Sequence, residues 1–292
     1  MSSVPFDRGV AREAAMRRRV RGRGPLQGLR SRRGAIGLGI VALVLVAGLV
    51  VPLFLRWGPL QQSGETLVGA GVGGHLFGTD EVGRDILARV LQGVRVDALL
   101  AVVSVPVAAV LGTSLGMLSA LSRRGGDAAQ WLFNVLLGFP GVVMGIAVSI
   151  AIAPGELAIA VAIVLVTIPT FGRQARVTTL AELSRDYVRA AVVVGRSRRS
   201  IVVAHILPNV MDSIIVRLAP AVSAVIQIEG ALSVVGLGVQ PPKASLGEMI
   251  AGGSQYLSDA PLYALAPLGV VFVLVLGLSL VSAALNEAML RR

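Results

Sequence analysis

The sequence predicts an all-α membrane protein of six transmembrane helices, and three observations carry that prediction. Hydrophobic residues make up 54% of the chain and charged residues 15%, with a mean hydropathy of +0.79. A soluble domain carries about 25% charged residues. Charge-free runs recur along the chain, each near the length of about 20 residues that crosses ~30 Å of hydrocarbon. Arginines crowd some of the segments between those runs and avoid others, as the flanks of membrane spans do.

The elements follow in order. Ten arginines lie between Arg8 and Arg33, against only Asp7 and Glu13, so residues 1–33 form a basic N-terminal tail. The tail stops before Gly34–Leu55, which carries no charge until Arg56. No small-residue cleavage site closes that run, and it is longer than the apolar core of a signal peptide, so 34–55 is predicted as a retained first span. The other spans are predicted at about 98–122, 128–153, 157–176, 209–236 and 262–286. The fifth is apolar except for Asp212, Arg217 and Glu229. Pro106, Pro140, Pro169, Pro220 and Pro267 fall within spans, either as ordinary kinks or as the breaks of a moving bundle around a path.

Alternating spans place 1–33, 122–127, 173–210 and 287–292 on one side, with Arg217 at a helix end there. Those segments hold 22 of the 27 basic residues, while Arg56, Arg84, Arg89, Arg95 and Lys243 fall on the other side. The positive-inside rule then predicts both termini in the cytoplasm and residues 240–258 outside. The same distribution explains the net charge of +11 as membrane flanks and argues against a nucleic-acid partner.

Several chemistries are excluded by residue type. The chain has no cysteine, so disulfides and thiolate metal sites are ruled out, and His75 and His205 lie too far apart in sequence to predict a metal site. A P-loop needs a lysine after a glycine-rich turn, and the one lysine, Lys243, sits in Gln240-Pro-Pro-Lys-Ala-Ser245. The spans hold no series of acidic and histidine side chains of the kind that relays protons. No catalytic residue, metal or cofactor is expected in this chain.

The most informative segment is Leu183–Asn209, a long inner loop of a size that is uncommon without a task. Ser184 is predicted to cap a short helix with Asp186 in its first turn, and Gly195 to break it in a left-handed conformation. Ser197 is predicted to cap a second short helix running to Leu207 and ended by Pro208. Tyr187, Ala190, Ala191 and Val194 follow helical spacing and form a small apolar face, with Arg189, Arg196, Arg198 and Arg199 around it. Such a face suits docking onto another protein or lying on anionic lipid.

These residues resemble the EAA loop of ABC-importer permeases, E-A-A-x3-G-x9-I-x-L-P. Ala190, Ala191, Gly195, Leu207 and Pro208 match, while Arg189 stands for the Glu and His205 for the Ile. Two further stretches resemble the dipeptide/oligopeptide (and nickel) branch of that family. They are His75-Leu-Phe-Gly-Thr-Asp-Glu-Val-Gly-Arg-Asp85 and Leu232-Ser-Val-Val-Gly-Leu-Gly-Val-Gln-Pro-Pro242.

The resemblance implies a permease subunit of a bacterial inner-membrane importer. It implies as partners a homologous permease, two cytoplasmic ATPase domains that carry ATP and Mg, and an extracytoplasmic substrate-binding protein, with a peptide as substrate. It implies that Tyr187, Arg189, Ala190, Ala191, Gly195, His205, Leu207 and Pro208 form the ATPase-coupling loop. Glu229, Pro140 and Met144 are candidates for lining the translocation path. Gln240, Pro241, Pro242 and Lys243 are a candidate contact for the extracytoplasmic partner or a simple chain reversal. Asp80, Glu81, Arg84 and Asp85 are read as a loop tied together by its own charges rather than as a binding site. Nickel, glutathione or another small solute fits the same architecture, and a stand-alone secondary transporter or channel is the reading from another class.

Overall fold

The computed structural model describes residues 25–290; residues 1–24 of the basic tail lie outside them, as do Arg291 and Arg292. The chain folds into helices α1 (Arg32–Val50), α2 (Ile86–Leu121), α3 (Arg123–Gly138), α4 (Gly141–Ile152), α5 (Glu156–Leu183) and α6 (Asp186–Val193). These are followed by α7 (Arg198–Ile201), α8 (Leu207–Val234), α9 (Leu246–Gly253) and α10 (Pro261–Leu290). Among the described residues five helices are long and apolar enough to cross a membrane, and the bent pair α3–α4 makes six if it counts as one span. The last part of the basic tail belongs to the bundle. Its Pro25–Arg30 turn packs on α10 so closely that a Cβ at Gly28 would strike the Ala284 carbonyl.

Helix starts are set by short polar side chains. Ser31 accepts the Gly34 amide at 3.1 Å and opens α1. Asp85 accepts the Ala88 amide at 2.7 Å and opens α2. The second span therefore begins at Ile86 and not at 98. Charge ended the apolar run in the sequence, but in three dimensions those charges are hidden: Arg89 is 1% exposed and Asp97 3% exposed.

The third predicted span, 128–153, is not one straight helix. Residues Gly125–Gly138 and Gly141–Ile152 meet at 95°. Pro140 has no amide to donate and disfavours helical backbone at the residue before it, and Phe139 is extended there (φ −93°, ψ 128°). Twelve residues of α4 reach about 18 Å, less than the hydrocarbon thickness.

Glycines let the helices approach. A Cβ at Gly112 would lie 2.5 Å from the Ile168 carbonyl oxygen and 2.8 Å from the Phe171 Cβ, and Gly116 meets Gly172 and Ala175. This small-residue seam joins α2 and α5, as in membrane helix pairs that associate by close backbone packing. Its register rises together on both helices, so α2 and α5 are parallel, and the chain between them has to return across the bundle through α3 and α4. Gly37 and Gly277 form the corresponding close approach between α1 and α10. Of α1, only Gly34, Gly37 and Gly48 are buried, and Leu43 and Leu49 face outward as a lipid-contacting side chain should.

The bundle has two ends. One gathers the Pro25–Arg30 turn, the α2–α3 corner and the loop 184–206; there Arg176 on α5 donates to the Ser119 carbonyl at 2.6 Å. The other gathers residues 54–85, Glu156 and residues 237–260.

Candidate functional site

The loop between α5 and α8 is held from beneath and bare on top. Ser184 does not cap α6. It lies at the end of α5, where its hydroxyl donates to the Ala181 carbonyl at 2.8 Å, and the extended residue before α6 is Arg185. Asp186 stands in the first turn of α6 as anticipated. At the other end Gly195 has φ +81°, and the Gly195 and Arg196 amides donate to the carbonyls of Val192 at 3.0 Å and Ala191 at 3.1 Å. That is the Schellman arrangement, which requires the left-handed residue that glycine supplies. Ser197 then accepts the Ser200 amide at 3.3 Å and opens α7.

Pro208 does not end the second short helix. The chain runs from α7 through a wider π-helical turn, Val202–Ile206, directly into α8. The wide turn moves aside the carbonyl that the Pro208 ring would otherwise strike. The loop is thus covalently continuous, as helix, with the fifth span.

The predicted apolar face of α6 divides in two. Tyr187 and Ala191 are half-buried and pack, with fully buried Val188, onto the bundle core. Ala190 is exposed, as are Val193 (87%) and Val194 (81%). The helix presents apolar residues to its own bundle and to the outside. Arg189, Arg196, Arg198 and Arg199 are exposed around the outer side.

Beneath α6 lies a polar hub that the sequence did not single out. The Tyr187 hydroxyl bonds the Glu182 carboxylate, and Asn209 Nδ2 donates to Glu182 Oε2 at 3.0 Å, to the Tyr187 hydroxyl at 3.2 Å and to the His205 carbonyl at 3.1 Å. Arg185 Nε pairs with Glu182 Oε1 at 3.0 Å. Burial, and after it the Glu182 carboxylate, push the Tyr187 phenol above its ordinary range. His205 packs edge-on against Tyr187 at 5.8 Å and accepts from Arg196 at 3.3 Å. Leu207 is half-buried and Pro208 exposed. The hub joins the end of α5, α6 and the start of α8.

The path candidates lie at the α3–α4 bend, on α4 and on α8. Pro140 is exposed at the bend and Met144 is half-buried on α4, whose Gly141 and Gly145 approach Ile228 and Leu232. Glu229, a path candidate, is fully buried and turns to α9: its Oε1 accepts from Ser233 at 2.7 Å and from Ser245 at 2.5 Å. Asp97 meets the same turn by accepting the Leu246 amide at 3.3 Å. Asp97 stands outside the span of 98–122 that the sequence predicts, so nothing in the sequence marks it.

At the far end, Asp80 accepts the Val82 and Arg84 amides at 3.0 and 2.8 Å and pairs with Arg84 at 2.7 Å and Arg89 at 3.3 Å. Arg89 reaches Glu248 at 3.0 Å, and His75 bonds Asp85 at 2.8 Å. These charges do tie the loop together. Burial pushes the Glu248 carboxyl up, opposed by the Arg89 and Arg84 guanidiniums. Gln240, Pro241, Pro242 and Lys243 are exposed, but Gln240 bonds its own turn and Lys243 reaches Glu156 on α5 at 2.6 Å.

This arrangement of spans around a loop between the fourth and fifth crossings has a match among known proteins. Residues 112–291 match the model of the binding-protein-dependent transport system inner membrane component. The chain belongs to that family. It is a multi-pass membrane protein and a permease subunit of ABC-importer type. The di/tripeptide transport system permease protein DppC of Pseudomonas aeruginosa (strain UCBPP-PA14) is 31% identical over 265 residues, 88% of each chain. The probable D,D-dipeptide transport system permease protein DdpC of Escherichia coli (strain K12) is 34% identical over 207 residues, 70% of each. Among solved structures, a chain of the MetNI methionine ABC transporter, in inward facing conformations, superposes with a TM-score of 0.56. At 18% identity, and covering 70% of this permease and 95% of that chain, it shows the fold alone.

Proposed function

We propose that this permease carries dipeptides or oligopeptides inward across the bacterial plasma membrane as one half of a heterodimer with a homologous permease. Two cytoplasmic ATPase domains bind ATP and Mg and do the hydrolysis, and an extracytoplasmic binding protein delivers the peptide. Both termini and the 184–208 loop face the cytoplasm, in keeping with the 22 basic residues assigned to that side. The substrate class rests on relatives named for peptide transport and on the three motifs that resemble the peptide branch.

The observation that carries the coupling role is the two-faced α6. Its inner side is locked to Glu182 and Asn209, and its outer side leaves Ala190, Val193 and Val194 bare. A helix apolar on both sides at the bundle's end fits between its own spans and a partner. Closure of the partner ATPases pushes α6, and α5 and α8 follow as the access of the bundle changes.

Reconstitution tests this. The purified permease in proteoliposomes is expected neither to hydrolyse ATP nor to accumulate peptide, and addition of the partner permease and ATPases is expected to confer both. Accumulation by this chain alone would return it to the class of self-sufficient transporters. Competition of labelled dipeptide uptake by oligopeptides, glutathione and nickel settles the substrate class.

A further inference from the structure

At the end of the bundle built from residues 54–85, three side chains form a stack. The Arg56 guanidinium lies over the Trp57 ring at 5.5 Å, and Trp57 lies on His75 with ring centroids 4.7 Å apart and planes at 24°. Arg56 and Trp57 of the stack border a cavity of about 210 Å³ lined by Phe54, Leu55, Gly74, Leu76, Asp85 and Leu87 as well. Two donors on its wall are free for a ligand. Trp57 Nε1 is shielded and has no hydrogen-bond partner, and the exposed Arg56 makes no ion pair among the described residues. They also converge: the position that a Cβ on Gly74 would take lies 3.7 Å from Trp57 Nε1 and 3.8 Å from Arg56 Nη1. Gly74 has φ +85°, so the wall there is glycine and no Cβ stands between the donors. The one acid on the wall is already engaged, Asp85 Oδ1 by the Ala88 amide and Oδ2 by His75.

We propose that this cavity binds the phosphodiester of a membrane phospholipid, held by Arg56 and Trp57 Nε1. A phosphate oxygen is the acceptor that suits both a guanidinium and an indole N–H. The mouth of the cavity decides for lipid over a water-soluble anion. Leu53 is 77% exposed, Phe54 82% and Leu76 63%, and Leu53 and Phe54 continue the outward side of α1 through Leu49. Acyl chains lie along that side while the headgroup sits in the cavity, at the level where tryptophan and arginine anchor to the interface. The site is independent of the peptide and ATPase assignments, because no residue of the coupling loop takes part.

Native mass spectrometry of the detergent-purified permease tests it with phosphatidylethanolamine, phosphatidylglycerol and inorganic phosphate as separate probes. Wild type is expected to retain one phospholipid through activation that strips the rest. Arg56→Gln and Trp57→Phe are each expected to lower that retained lipid about tenfold, the scale of one charge-assisted hydrogen bond. Trp57→Phe keeps an aromatic ring on His75, so its fold is preserved even if Arg56→Gln proves unstable. Undiminished retention in Trp57→Phe overturns the site. Displacement of the lipid by millimolar inorganic phosphate overturns the lipid assignment in favour of a free anion.

Discussion

Tyr187 and Glu182 bond side chain to side chain across the turn where α5 gives way to α6, and Asn209 of α8 bonds both. Removing the hydroxyl takes a donor from a carboxylate that is 7% exposed. Tyr187→Phe is therefore expected to loosen the loop by about 1–3 kcal/mol, with faster amide exchange over 186–195 and unchanged exchange in α2. The pH profile follows from the raised phenol. A group that holds its proton more tightly when folded stabilises below its unfolded value, near 10, and loses that stabilisation as pH rises through its folded one. Wild-type coupling is expected to be flat through neutral pH and to fall only in the strongly alkaline range. Tyr187→Phe should lack that alkaline limb.

Ala190 and Ala191 are neighbours with opposite surroundings. Ala190 is exposed, so Ala190→Trp adds bulk where only a partner would meet it. Ala191 is half-buried against the core, and Ala191→Trp is expected to overpack the fold by about 1–3 kcal/mol. Pull-down of the ATPases alongside membrane insertion separates the two. Ala190→Trp should insert normally and lose its ATPases; retention of both ATPases and uptake would remove α6 from the coupling mechanism.

Gly195 isolates a backbone effect. A Cβ there meets nothing within 4 Å, so any cost of substitution comes from the φ of +81° alone. Gly195→Ala is expected to weaken the loop by about 1 kcal/mol, Gly195→Val by more and Gly195→Asn by less. Equal thermal stability of the three would show that the left-handed turn does not set the loop.

Glu229 joins α8 to α9 through Ser233 and Ser245. Gly247 lies against it: a Cβ would stand 2.5 Å from Glu229 Oε2 and 2.5 Å from the Gly230 Cα. Gly247→Ala is expected to cost about 1–3 kcal/mol by forcing α9 off α8. Glu229→Gln keeps an acceptor oxygen for both serines, so the detergent melting temperature and uptake are expected to stay near wild type. A collapse of uptake in a normally folded Glu229→Gln would give the residue a place on the path.

Charge marks the true ends of the first and last spans. Residues 34–55 and 262–286 are close to α1 and α10 because lipid solvates both and leaves polar residues only at the boundaries. The start of α2 was not legible, because Arg89 reaches Glu248 and Asp97 the Leu246 amide, residues more than a hundred positions away. Nor was the bend at Pro140 distinguishable from the gentler prolines at 106, 169, 220 and 267, which stay inside their helices. In the 184–208 loop, Gly195 and Ser197 were readable because their roles are local. Glu182 and Asn209 were not, since a buried hydrogen bond between distant residues leaves no spacing to detect.

The sidedness of the bundle yields the last prediction. The fold draws Gly28, Ser119, Gly126, Arg176 and Ala284 to one end through direct contacts, and Gly69 with Gly78, Arg89 with Glu248 and Glu156 with Lys243 to the other. The first end carries the arginine-rich segments and is proposed to face the cytoplasm. The native chain has no cysteine, so single cysteines report position without background. A Cβ at Gly69 meets nothing within 4 Å, and at Gly125, exposed at the α2–α3 corner, it meets only the Ser122 side chain at 3.3 Å, which a small shift of that serine accommodates. Gly69→Cys is expected to react with an impermeant maleimide in intact spheroplasts. Gly125→Cys is expected to react only after the membrane is permeabilised. Both residues lie outside the apolar cores of the spans, so a failure to label after permeabilisation would reflect local burial and not sidedness. The reverse pattern, Gly125→Cys labelled in intact cells and Gly69→Cys protected, would turn the bundle over. It would also place α6 on the side where no ATP is available.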